Sequence, residues 1–226
     1  MAGSKARRRY RFILLLTVAL VACGGDEDVP TAAEDRARAE RMVFTAADLP
    51  DLTQGEEDDS DDEDDPVRAC LNGNPVLTEL GNGPRSAEAT FNDEEETLVR
   101  ASTVNLAESE DDAKEAFAEV EGAAFLTCFE GAVREGFEEG IDEGLAATNL
   151  SVSNLRDAEY GDESVTYRVT LNLEVPGQTV PASFDYMFLR EGRVVGVLFA
   201  FDINGSLADA ERKRLAELLS DRMQDA

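Results

Sequence analysis

The chain has no histidine and no tryptophan among its 226 residues. Without imidazole there is no histidine general base, no Ser-His-Asp or Cys-His nucleophile system, and none of the commonest zinc and copper ligands. Cysteine is scarce, with three residues. Positive charge is scarce too: 21 Lys and Arg face 49 Asp and Glu, for a formal net charge of -28. Such a surface repels nucleic-acid phosphates and anionic headgroups, so no nucleic-acid partner is expected. It favours solubility, basic partners or cations.

Five of the few basic residues, Lys5, Arg7, Arg8, Arg9 and Arg11, precede an apolar run over residues 12–21. That run is about ten residues long, roughly half of what a membrane span requires. It ends in Leu20-Val21-Ala22-Cys23, after which Gly24, Gly25 and three acids break the apolar character at once. Positive residues, a short apolar core and a small residue before cysteine have the layout of a bacterial lipoprotein signal. Residues 1–22 are read as the signal peptide, with the general secretory route preferred over the twin-arginine one. Cys23 is the lipidated residue, and residues 23–42 form a tether with nascent helix over 32–42. Loss of the signal takes the mature charge to about -33. The expected location is the extracytoplasmic side of the cell membrane, on a lipid leash.

With Cys23 assigned to lipid, Cys70 and Cys128 remain. Outside the cytoplasm they are expected to form a disulfide, and two buried free thiols are the other reading. The bridge would close a loop of about 59 residues, worth roughly 4 kcal/mol in chain-entropy terms.

Residues 43–226 are read as one domain interrupted by an acidic loop. Positions 55–65, GEEDDSDDEDD, carry nine acids in eleven places. Such a block repels itself and reads as solvated loop; weak polydentate calcium binding is the other reading. It lacks the glycine and glutamate register of an EF-hand.

A short helix over 66–71 carries Cys70, and Asn72-Gly73-Asn74-Pro75 turns the chain. Strands are expected over 86–91 and 98–106. Ser109 with Asp112 three residues later resembles a capping box, followed by an apolar face of Ala113, Ala116, Phe117 and Val120. After Gly122 a second helix over 123–143 buries Phe125, Cys128, Phe129, Ala132, Val133, Phe137 and Ile141. Its glycines at 136, 140 and 144 suit close packing or a fraying end. The period then changes to two. Strands follow near 150–155, 165–174, 180–188 and 195–201, the last apolar on both faces and therefore central or doubly covered. Ser206 caps a final helix to about residue 223, with Leu207, Ala210, Leu215, Leu218, Leu219 and Met223 inward. The predicted class is α+β: a single antiparallel sheet of five to six strands with helices packed against it.

The lipobox, the acidic linker, Cys70 in Arg68-Ala69-Cys70-Leu71 and Cys128 in Phe125-Leu126-Thr127-Cys128-Phe129 combine with the strand-strand-strand-helix ending. Together they resemble actinobacterial lipoproteins that are similar to the extracellular sensor domain of PknH-type kinases, over about residues 43–225. The broader architecture is similar to the Mog1/PsbP-like fold. That sensor domain is associated with two disulfides, and this mature chain can form one. The resemblance implies a sensing or ligand-binding module at the cell surface, with no catalytic residue to carry over.

No enzyme is expected, since 49 acids guarantee chance neighbours and no spacing singles out a pair. No cofactor or metal site is expected. The functional reading is a non-enzymatic, lipid-anchored lipoprotein with a sensor-like or ligand-binding domain. The alternative is a docking or assembly factor for an envelope complex, using the acidic surface. The partners are the membrane, through Cys23, and an unknown small ligand or basic envelope protein.

Overall fold

Period-two alternation in the second half of the chain becomes the centre of an antiparallel sheet. The computed structural model describes residues 30–55, 68–71, 73–95, 97–139, 146–155, 160–175 and 178–225. Its strands are β1 (Thr53–Gln54), β2 (Ser86–Asn92), β3 (Leu98–Leu106), β4 (Ala146–Leu155), β5 (Glu163–Val175), β6 (Gln178–Glu191) and β7 (Val194–Ile203). They lie in the order β1-β2-β3-β7-β6-β5-β4, each antiparallel to its neighbours. The count is seven, against the five to six expected. The extra strand is β1, two residues paired to the end of β2, too short to show any periodicity. The doubly apolar β7 is the middle strand of the sheet. It lies between β6, its hairpin neighbour, and β3, which is distant in sequence.

Among the described residues five α-helices cover the sheet: α1 (Ala32–Met42), α2 (Pro75–Thr78), α3 (Glu110–Glu121), α4 (Ala123–Glu139) and α5 (Asp209–Asp225). On one face α3 and α4 bury Phe117, Val120, Phe125 and Phe129 against Tyr167, Phe188 and Val195. Tyr167 donates its hydroxyl hydrogen to the Val120 carbonyl at 2.5 Å; burial pushes the phenol up to about 12, with Glu121 adding to the shift. On the other face α1 and α5 bury Met42, Phe44, Leu215 and Leu219 against Phe91, Val104, Met187 and Leu198. Gly196 lets α5 approach β7, because a Cβ there would meet the Met223 sulfur at 3.0 Å.

Local signals set the helix ends. The Ser109 hydroxyl accepts from the Asp112 amide at 3.1 Å, and Gly122 separates α3 from α4. Cys70 is bridged to Cys128, with 5.6 Å between their α-carbons, so the disulfide reading holds over the free thiols. The bridge ties the 3-10 turn Arg68–Cys70 to α4. Cys128 is itself exposed, at the margin of the buried face and not within it.

Three expectations change. The stretch over 32–42, read as tether with nascent helix, is the formed helix α1, packed on β2 and β3. Ser206 is not the cap of α5, which starts at Asp209 with the Arg212 amide bonded to the Ala208 carbonyl. Ala210 is exposed, while Arg212 and Ser220 are buried. Cys23, most of the acidic loop and residues 140–145 lie outside the described residues. Among the described residues, no helix is long and apolar enough to cross a membrane.

Charge organises the α1–α5 face. Asp35 on α1 has no exposed surface and receives hydrogen bonds from Arg85 at 2.6 Å and from both terminal nitrogens of Arg193. Burial alone would raise its pKa, but the Arg193 and Arg85 guanidiniums outweigh burial and hold it below the ordinary carboxylate range. One terminal nitrogen of Arg222 on α5 donates to both oxygens of Asp48, at 2.8 Å each, and the other to the Val43 carbonyl at 2.5 Å. Arg100 bonds Asp202 at 3.0 Å and Glu211 at 3.3 Å. With Arg168, Arg190 and Arg212, seven arginines are largely withdrawn from solvent into ion pairs.

Two outcomes follow from this packing. Asp35→Asn should cost about 3 kcal/mol, at the low end for a broken buried pair, since both guanidiniums keep nearly a fifth of their surface in water. Its folded pKa is depressed, so its contribution is complete above the unfolded value near 3.9 and fades as pH falls through the folded value. Urea unfolding between about pH 2 and 7 should give the variant a flatter acid limb than the parent. Gly131→Ala, at an exposed α4 position with open space around the added carbon, should stabilise by roughly 0.5–1 kcal/mol in the same assay.

Candidate functional site

The two helices on the α1–α5 face lie over β2, β3, β7 and part of β6, and leave β4 and much of β5 open. Alternation along β5 puts Val169, Leu171 and Leu173 into the core beneath α3 and α4. It therefore turns Thr166, Arg168, Thr170 and Asn172 to the other side. Register then dictates which side chains meet. Thr148 of β4 is opposite Asn172, and Asn172 is opposite Pro181 of β6. One row further along, Ser151 is opposite Thr170, and Thr170 is opposite Ser183. Next come Ser153, Arg168 and Asp185.

A groove of about 390 Å³ opens on this surface, lined by Asn149, Thr170, Asn172, Pro181, Ser183 and Ser206, with Leu171, Ala182 and Gly205 at its base and rim. Three bonds hold the rim formed by the β7–α5 connection. The Asn204 amide donates to the Pro181 carbonyl at 2.7 Å, the Ser183 hydroxyl to the Gly205 carbonyl at 3.1 Å, and Arg168 to the Leu207 carbonyl at 3.2 Å. Asn149 and Asn204 adopt left-handed backbone conformations, with φ of 55° and 68°. They are the non-glycine residues with positive φ among the described residues, and both stand beside the groove. Asparagine tolerates this region better than most side chains. At Asn149 the turn accompanies a bulge where β4 slips register between Thr148 and Ser151.

Charge is present at the groove margins but is balanced there. Arg168 donates to both oxygens of the buried Asp185, at 2.6 Å each. Arg212 lies 3.7 Å from the same carboxylate and 3.1 Å from Asp209. At the far end Glu174 accepts from Thr148 at 3.1 Å and Thr179 at 2.8 Å. The lining combines hydroxyl, amide and backbone groups with the apolar surface of Leu171, Pro181 and Ala182, and carries no formal charge. Its chemistry is neutral hydrogen bonding through Asn149, Thr170, Asn172 and Ser206, whose hydroxyl and amide groups both donate and accept, while the Ser183 hydroxyl hydrogen is committed to the rim.

The residues singled out from sequence lie elsewhere. The Cys70–Cys128 bridge belongs to the α4 side of the sheet, opposite the groove, and Cys23 lies outside the described residues. No cluster of three or more metal-ligating side chains occurs among the described residues. The groove residues carry no motif. Their signal in the sequence is a local deficit: residues 146–155 contain no charged side chain, and residues 169–184 contain one, Glu174, in a chain that is 31% charged.

No protein-family model matches the chain, and no curated protein matches it. Among solved structures, the chain is similar to the crystal structure of the extracellular domain of PknH from Mycobacterium tuberculosis. Sequence identity is 11% and the TM-score 0.46, with 84% of this chain and 97% of that chain covered.

Proposed function

We propose that this chain is a non-enzymatic, lipid-anchored lipoprotein on the extracytoplasmic face of a bacterial membrane, and that its domain is a sensor-like module binding an uncharged polar ligand in the groove. The observation that carries the reading is the groove itself: a neutral lining within a strongly acidic chain, with its rim already pinned by hydrogen bonds. A rim fixed before binding lowers the ordering cost of association. Asp185 has both oxygens engaged by Arg168, which favours a structural over a catalytic role for the buried carboxylate beside the groove. The signal layout ending at Cys23 supports the anchor.

A second reading, docking to a basic envelope protein, draws on a separate observation. The ion pairs that draw in seven arginines draw in Asp35, Asp48, Asp185 and Asp202 with them, and the surface keeps the strong excess of 49 acids over 21 cations. Such a surface accelerates encounter with a basic partner and loses that advantage in salt.

In cell fractionation the parent should partition with membranes and into detergent, and Cys23→Ser should move to the soluble fraction. A Cys23→Ser form that stays with membranes sinks the anchor. In thermal-shift assays, uncharged polar compounds should raise the melting temperature of the parent and not of an Asn172→Asp form. Stabilisation by charged compounds alone, unaffected by that substitution, would remove the groove from the reading.

A further inference from the structure

Resting on the groove reading, we infer that the ligand is a neutral carbohydrate chain lying across strands β4, β5 and β6. The groove belongs to a wider grid. Thr148, Asn172 and Pro181 make one row across three strands, and Ser151, Thr170 and Ser183 make the next. Neighbouring strands are about 4.8 Å apart, and same-face residues along a strand are spaced at roughly twice its 3.3 Å rise. The result is a band of hydroxyl and amide groups from the β4 edge to the rim at Ser206, offset at the β4 bulge, in which Thr148 and Ser183 already donate to Glu174 and the Gly205 carbonyl and Ser151, Thr170 and Asn172 face outward.

The chemistry of the array selects among ligand classes. Carboxylates and phosphates are recognised by free guanidinium forks or converging backbone amides. The nearest guanidiniums, Arg168 and Arg212, are already paired with Asp185 and Asp209. A mature charge near -33 adds long-range repulsion of anions. Ammonium groups require carboxylates, and those beside the array are engaged, Glu174 by two threonines and Asp185 by Arg168. Large apolar ligands require aromatic walls, and the groove has none among its lining residues. Sugars instead present many hydroxyls, each both donor and acceptor, which matches the dual character of Ser151, Thr170, Asn172 and Ser206. Pro181, at the end of the first row, offers a compact apolar ring to the C–H face of a sugar. The open groove and uncharged β4 edge allow a chain longer than the groove to continue over Ser151 and Ser153, both exposed.

The test is amide-resolved NMR titration of the full chain in detergent, since the absence of tryptophan removes the usual fluorescence probe. The probes are three soluble neutral glycans (dextran, mannan and arabinogalactan), anionic polygalacturonate, and an uncharged Gly-Ser peptide. At least one neutral glycan should shift the amides of Thr170, Asn172 and Ser183, while polygalacturonate does not. Asn172→Asp and Thr170→Val, each checked for an unchanged melting temperature, should weaken that binding about tenfold and about threefold. Shifts with the peptide and with no glycan overturn the carbohydrate assignment and leave the groove reading in place. No response at the groove to any neutral probe overturns both.

Discussion

Asp35 is wholly buried on the first helix, and an isolated carboxylate there would be prohibitively costly. Arg85, from the entrance to β2, and Arg193, from the β6–β7 turn, converge on it, so one charged contact fastens the N-terminal helix to two distant parts of the chain. The same device recurs on this face, where Arg222 holds Asp48 and Arg100 holds Asp202. An acid-rich sequence with few cations uses many of them as internal struts. As a consequence, the α1–α5 face is assembled by ionic as well as apolar contacts.

The opposite face is built differently. Phe125, Phe129, Tyr167 and Phe188 form an aromatic core with ring centroids 5.4–6.4 Å apart, and the disulfide holds the flanking turn against α4. Dispersion and apolar burial dominate there. Both layers meet at β7, which presents Val195 and Val197 to the aromatic core and Val194 and Leu198 to the ionic side. A middle strand buried on both faces needs no polar alternation, which explains its continuous apolar run.

Uneven helix coverage produces the groove. Helices α3 and α4 extend over β5, whereas α1 and α5 stop short of it on their side. The uncovered halves of β4, β5 and β6 must therefore be polar on one face. Glutamate or aspartate would satisfy that demand as well as serine, threonine or asparagine, and this chain has acids in excess. That the surface is instead neutral, and that a rim is bonded in place beside it, separates it from an ordinary solvated sheet face.

Much of the local structure is legible in the sequence because it is decided by neighbours. Ser109 before an acidic first turn, Gly122 between two apolar stripes, and alternation from Val165 to Glu174 each specify an element within one or two turns of chain. The pairing of Cys70 with Cys128 is the one left once Cys23 is read as lipidated. The helix at Ala32–Met42 escaped full recognition because its stability comes from Asp35 reaching arginines 50 and 158 residues away, and nothing local records that. Ser206 has the chemistry of a cap, yet the chain enters α5 three residues later and leaves the serine facing the groove. The groove depends on β3 joining β7, which centres the sheet, and on register aligning Thr148, Asn172 and Pro181. By itself the sequence determined the elements, the covalent bridge and the charge of the surface, since these rest on short-range chemistry and composition. Tertiary structure alone decided which neutral side chains share one face, because strand order and register are set by contacts far apart in the chain.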